Sequence, residues 1–313
     1  MSWTRAPEPI CSEEPAEPSI ELEISARPRS IGDFDVGRVL PAPARRMVGP
    51  FIFFDHMGPA ELAPDTGMDV RPHPHIGLAT VTYLFEGRIR HRDSLGSDQV
   101  IEPGAINWMT AGRGIVHSER TPAEARPSGP HVHGLQLWVA LPEEHEERAP
   151  DFSHHPRETL PELDGPGLRG RPLAGSAYGR RAPVPIFSPL YYVEAELAVG
   201  ARIEVPQEHE ERAVYVVSGE AHCGGAVIGA RTMAVLRSGA SMVLEASAPT
   251  RLAMVGGAPI GPRFIFWNFV SSSKERIEEA ARDWKQERFP KVPGDEVDYI
   301  PLNDEPRFPR TAR

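Results

Sequence analysis

Two short stretches restrict what this chain can become more than anything else in it: RPHPHIGLATVTYLFEG from Arg71 and GRGIVHSER from Gly112. In the first, His73 and His75 flank Pro74 and lead into an apolar, β-rich run. Side chains at i and i+2 share one face of a strand, so both imidazoles can project into a single interior. In the second, His117 and Glu119 repeat that spacing on what should be another strand. Pairs on neighbouring strands can converge into a cup of three nitrogens and one carboxylate oxygen. Such a donor set suits a divalent first-row metal, because imidazole favours iron, nickel, copper and zinc while the carboxylate offsets part of the charge. Pro74 cannot donate a ladder hydrogen bond and so belongs at a strand start, an edge or a bulge. Its fixed φ, and the extended geometry it imposes on His73, stiffen the pair before any metal binds.

The spacing around these residues is more specific than the ligand types. Gly67, five residues, His73, one residue, His75 and then Gly87 after eleven more resembles the first cupin motif. That motif normally carries a Glu separated from its second His by three or four residues, where this chain has Ala79 and Thr80. Glu119 would replace it, just past the His of a second motif, Gly112-x-Gly114-x-x-His117. With HPH and HSE as its metal-binding words, the chain resembles the pirin family. PFIFFDHMGP at 50–59, HGLQLWVALP at 133–142, GSAYG at 175–179 and the segment from Trp267 to Glu296 extend the likeness over most of its length. The resemblance implies an all-β fold of two cupin-type β-barrels (a bicupin) with a short C-terminal helix. It also implies one mononuclear metal in the N-terminal barrel, held by His73, His75, His117 and Glu119. Iron is the expected ion, with nickel, copper, manganese and zinc as alternatives. Some pirins are similar to quercetin 2,3-dioxygenases, and others are described as redox-sensitive regulatory partners.

Length and composition bound the rest. At 313 residues the chain can build two β domains, each with its own core. Its 34 Pro and 28 Gly suit many turns and short strands rather than long helices. A net charge of −10 argues against direct binding to nucleic acid or to an anionic membrane surface. No apolar run approaches the roughly 20 residues of a membrane span. The opening MSWTRAPEPICSEEPAEPS has no apolar secretory core, which predicts a cytoplasmic protein. Cys11 and Cys223 make neither a disulfide framework nor a zinc site and read as a tail thiol and a loop thiol.

In chain order, the expected units are a tail with a first strand at 1–27, a metal-binding barrel at 28–148, a metal-free barrel at 149–270, and a helix with tail at 271–313. Residues 1–20 are rich in Pro and Glu, a composition that favours little order before IELEISARP begins to alternate as a half-buried strand. Asp55 and His56 read as hydrogen-bond partners or as supports for a ligand. His91, in a rim loop, is expected to be solvated. Trp108 and Met109 read as core or as pocket lining. His131 and His133 form a second H-x-H but lack the glycine spacing, so they read as polar residues where a strand begins. LPEEHEERAP at 141–150 reads as a solvated charge run at the domain boundary, with His154 and His155 in the linker beyond it. Gly200, Pro206, Glu208 and Gly219 repeat the first motif with both His positions lost, which predicts a second barrel whose interior Pro206 and Glu208 line without metal. Ser272 and Glu275 form a capping-box pattern ahead of KERIEEAARDWKQERF. Ile277, Ala280, Ala281 and Trp284 share the face of that helix that should dock on a barrel, and Pro290 and Pro293 end it.

These residues admit several functions. Four protein ligands on an octahedral metal leave about two positions for oxygen or substrate. An enzyme could then act on a flavonol or another phenolic small molecule with O2, Glu119 serving as ligand or as the catalytic base that takes the hydroxyl proton. A regulatory protein would instead let the metal's oxidation state set the surface that a protein partner reads. A closed site would make the metal a structural staple, whereas an open mouth lined by Trp108 or Met109 would favour catalysis.

Overall fold

The computed structural model describes residues 19–31 and 34–306. The expectation of little order before the first strand concerns residues that, with Cys11, lie mostly outside that range.

The run Leu78–Gly87 is buried over most of its length because it separates two interiors. Its odd-numbered residues Ala79, Val81 and Tyr83 join a core shared with the second half of the chain, while Leu78 and Leu84 pack inside the first barrel. The strand lies in a seven-stranded sheet that closes against a four-stranded sheet of Asp69–His75, Ile115–Arg120, Ile89–Asp93 and Asp98–Ile101. The second barrel repeats the plan with an eight-stranded and a four-stranded sheet. The fold is all-β, two cupin-type barrels with a short C-terminal helix. The large sheets stack back to back, so Phe54, Val81 and Leu137 of the first meet Tyr192, Tyr215 and Val255 of the second.

Strand pairing interleaves the two halves. Ile20–Ser25 pairs with Thr232–Leu236 of the second barrel before the chain crosses into the first. Asp151–His155 pairs with Ile106–Thr110, so the first sheet runs past residue 148 and holds His154 and His155 on a strand. In the second barrel Val193, Val214, Leu244 and Met254 fill the interior. Pro206 and Glu208 fall in the loop between Arg202–Glu204 and Glu211–Ser218, where Pro206 is buried and Glu208 exposed. Glu208 therefore does not line that interior as expected: one strand ends at Glu204 and the next begins at Glu211.

The chain then returns to the first barrel. Phe269 bridges to Ile76, and the Ile300 amide donates to the Pro72 carbonyl at 2.9 Å. The helix spans Lys274–Lys285, capped by Ser273 rather than Ser272: the Ser273 hydroxyl accepts from the Arg276 amide at 3.3 Å and donates to Glu275 at 2.7 Å. Ile277, Ala280, Ala281 and Trp284 are its buried face, packed with Ile76 and Val116 of the ligand strands. Glu146, in the run expected to be solvated, is buried instead. It meets Arg263 at 2.8 Å and accepts from the Ser271 hydroxyl at 2.9 Å and the Ser272 amide at 2.9 Å. These partners come from the returning segment, which no local charge pattern encodes.

Candidate metal centre

The small sheet of the first barrel orders its strands Asp69–His75, Ile115–Arg120, Ile89–Asp93. Pro74 sits on the edge strand, where the missing donor costs no ladder bond. His117 lies directly opposite His73 and Ile115 opposite His75, so the three histidines face inward as cross-strand neighbours. A register shift between His117 and Glu119 then sets Glu119 against Val70, offset along the barrel from the histidine pair.

The outer nitrogens decide the tautomers. His73 Nδ1 is 2.8 Å from the Arg71 carbonyl and His75 Nδ1 is 3.0 Å from the Asn268 carbonyl. A carbonyl only accepts, so each Nδ1 carries the proton and each Nε2 keeps a lone pair. His75 Nε2 and His117 Nε2 lie 3.1 Å apart, and ligand atoms of the three histidines all fall within 4.8 Å of one another. Two nitrogens about 2.1 Å from one ion, at right angles, would stand about 3 Å apart. Burial, reinforced by the neighbouring His73, holds the His75 and His117 rings well below the ordinary histidine range. His73 is lowered too, by burial, with the Arg71 carbonyl and Glu119 pulling the other way. Neutral imidazoles with converging lone pairs are what a divalent ion requires, so the residues present fit one.

Glu119 stands beside this trio and outside it. Its carboxylate is buried, Oε1 accepting from the Thr82 hydroxyl at 3.0 Å and Oε2 from the Gln136 amide at 2.7 Å. Each oxygen keeps a further lone pair. A cavity of about 530 Å³ reaches His73, Glu119 and Gln136, walled by Phe53, Trp138 and Trp267. Phe53 and Trp138 stack with centroids 4.0 Å apart, and the Trp138 ring meets His75 edge-on at 5.1 Å.

The pirin profile matches residues 33–139, and the pirin C-terminal cupin domain matches 192–290. A pirin-like protein of Caulobacter vibrioides is 50% identical, over 90% of this chain and 99% of that protein. The chain belongs to the pirin family. Among solved structures, a quercetin 2,3-dioxygenase from Acinetobacter baumannii superposes with a TM-score of 0.85 at 34% identity, over 92% of this chain and 97% of that one. A bacterial pirin of Escherichia coli in complex with nickel(II) shares the fold, with a TM-score of 0.59 at 17% identity over 76% of this chain and 99% of that one.

The other residues singled out in the sequence divide between expected and unexpected places. His91 is buried, not solvated, because Ile89, His91 and Asp93 alternate inward on their strand. Trp108 and Met109 are core and leave the cavity walls to Phe53, Trp138 and Trp267. Asp55 is held by Arg38 through two 2.8 Å bonds. His56 lies away from the trio, 3.0 Å from His133 and 2.8 Å from the Tyr215 hydroxyl. His131 is exposed where its strand begins. Thr82, Gln136 and Asn268 escaped the sequence reading; the inward alternation of LQLWV around Gln136 was the one available signal.

Proposed function

We propose that this pirin is a metal-dependent dioxygenase acting on flavonols or related phenols, with His73, His75, His117 and Glu119 holding one divalent ion. The observation supporting this most is the cavity of about 530 Å³ that reaches both His73 and Glu119. A structural staple would need no such opening, and a drug-sized planar molecule needs a pocket of about this size. Likeness to the Acinetobacter baumannii quercetin 2,3-dioxygenase points to the substrate class. Iron is the expected ion; nickel, copper, manganese and zinc accept the same donors. The ion supplies Lewis acidity and, if iron, redox chemistry toward dioxygen.

The chain's own residues do the rest. Trp138 and Trp267 give the mouth an apolar wall for flat rings, backed by Phe53, whose ring lies between Trp138 and the Arg38 guanidinium. Thr82 and Gln136 aim the Glu119 carboxylate, which takes the proton of the phenolic hydroxyl. Protein loaded anaerobically with ferrous ion and mixed with quercetin and oxygen should consume both. Glu119→Gln retains a carbonyl oxygen for the metal but cannot accept that proton, so turnover should fall by about 10²–10⁴-fold in protein that still holds metal. If metal-loaded wild type takes up no oxygen with any of several flavonols, the dioxygenase reading fails and redox-dependent binding of a protein partner becomes the function to test.

A further inference from the structure

His73 and His75 are oriented by main-chain carbonyls, but His117 meets a side chain. Its Nδ1 lies 3.4 Å from Nδ1 of His91, and His91 Nε2 lies 3.1 Å from Asp93 Oδ2. His91 is 3% exposed and Asp93 fully buried, so solvent does not supply alternative partners. The register places His91 opposite Glu119 and Asp93 opposite His117, on the inward face of the adjoining strand. The Phe152 ring stacks on His91 at 4.3 Å and 10°, fixing the plane of the imidazole.

We propose that Asp93 and His91 form a buried relay that sets the tautomer of His117 and so aims its Nε2 lone pair at the bound ion. The proposal rests on reading the three histidines as metal ligands, not on the oxygenase activity. A carboxylate only accepts, so the proton between Asp93 and His91 sits on His91 Nε2. In the relay that is the ring's single proton, which leaves Nδ1 bare and able only to accept from His117. His117 therefore carries its single proton on Nδ1 and leaves Nε2 free, 3.1 Å from His75 Nε2. Asp93 is itself fixed: its Oδ1 accepts from the amides of Leu95 at 2.9 Å and Ser97 at 3.1 Å. His91 and Asp93 are positioning residues; they touch neither the ion nor the substrate. Of the ligand orientations, this is the one that side-chain substitution can change without moving the backbone.

The test is competition titration of apoprotein with Co(II), together with proton NMR of the Co(II)-loaded form, in which each ligand imidazole gives an exchangeable, hyperfine-shifted N–H signal. His91→Phe keeps the stacked ring and removes the acceptor, so it should bind Co(II) about 10–100-fold more weakly and lose the His117 N–H signal. His91→Asn can place an amide oxygen near the lost Nδ1 and should bind far more tightly than His91→Phe. Asp93→Asn keeps an oxygen for the Leu95 and Ser97 amides and turns an N–H toward His91, reversing both tautomers; its loss should match that of His91→Phe. Because Asp93→Asn leaves the packed ring in place, it serves if His91→Phe fails to fold. Wild-type affinity with all three signals retained in either the His91→Phe or the Asp93→Asn protein would overturn the relay, as would equal losses in His91→Asn and His91→Phe. His117→Ala should abolish tight binding; if it does not, the metal-site reading itself fails, and the relay with it.

Discussion

Trp138 shows how much a single side chain does in this site. It stacks on Phe53, meets His75 edge-on and walls the cavity, so it joins ligand orientation to substrate space. Truncation to Ala would remove all three contacts from a buried position, at a cost of about 3–5 kcal/mol. Trp138→Phe retains an aromatic face and should lose much less. Chemical denaturation of the two apoproteins distinguishes them, and equal stability would mean that the stack contributes little. Glu119 sits at the same scale, and its two donors differ in origin: Thr82 comes from a strand flanking Gln136's own. Both are neutral, so they orient the carboxylate without an opposing full charge.

At the scale of elements, the strand bearing His73 and His75 is an edge, and the returning C-terminal segment covers it. The Asn268 carbonyl reaches His75, the Ile300 amide reaches the Pro72 carbonyl, and Arg120 bonds Asp295 at 2.7 and 2.8 Å. Glu146 latches that segment at its base, paired with the buried Arg263. Glu146→Ala would leave the guanidinium buried without its carboxylate and the Ser272 amide without its acceptor, which should destabilise the protein by about 3–5 kcal/mol. Because Asn268 belongs to the latched segment, the same variant should bind Co(II) more weakly, although Glu146 lies outside the histidine trio. Denaturant melts and metal titration check this together; a loss of stability with unchanged metal affinity would separate the latch from the site.

At the scale of the molecule, the barrels are joined by an apolar core that polar contacts cross, a chain through His56 among them. His56 links His133 of its own sheet to Tyr215 of the other barrel. Burial, with Arg231 and His133 adding to it, pushes His56 down to about 3. The folded protein thus resists a proton that the unfolded chain accepts near pH 6.5. Its contribution is fully present above that pH and is lost as the pH falls toward 3, amounting to about 2 kcal/mol by pH 5. Urea melts at pH 7.5 and pH 5 should show a smaller acid loss for His56→Gln than for wild type. The same acid loss in both would mean that the interface histidine does not titrate in this way. No helix among the described residues is long and apolar enough to cross a membrane.

What the sequence determined by itself is what one strand or one helix turn can encode. The i, i+2 spacing put His73 and His75 on one face by the pleat alone, while bringing His117 opposite them took the pairing of two strands. The face of the C-terminal helix followed from its period, and the two-barrel plan from repeated glycine and strand signals. The tertiary structure decided whatever depends on which strands become neighbours. His91 and Asp93 have the same spacing as the ligand pairs, but only the pairing of Ile89–Asp93 with Ile115–Arg120 buries them beside His117. Glu146 changed from surface charge to buried latch because its partners arrive from Arg263 and Ser271–Ser272. Asn268 orients His75 from 193 residues away. Burial and register are set by distant segments, so local pattern can name a side chain's options without choosing among them.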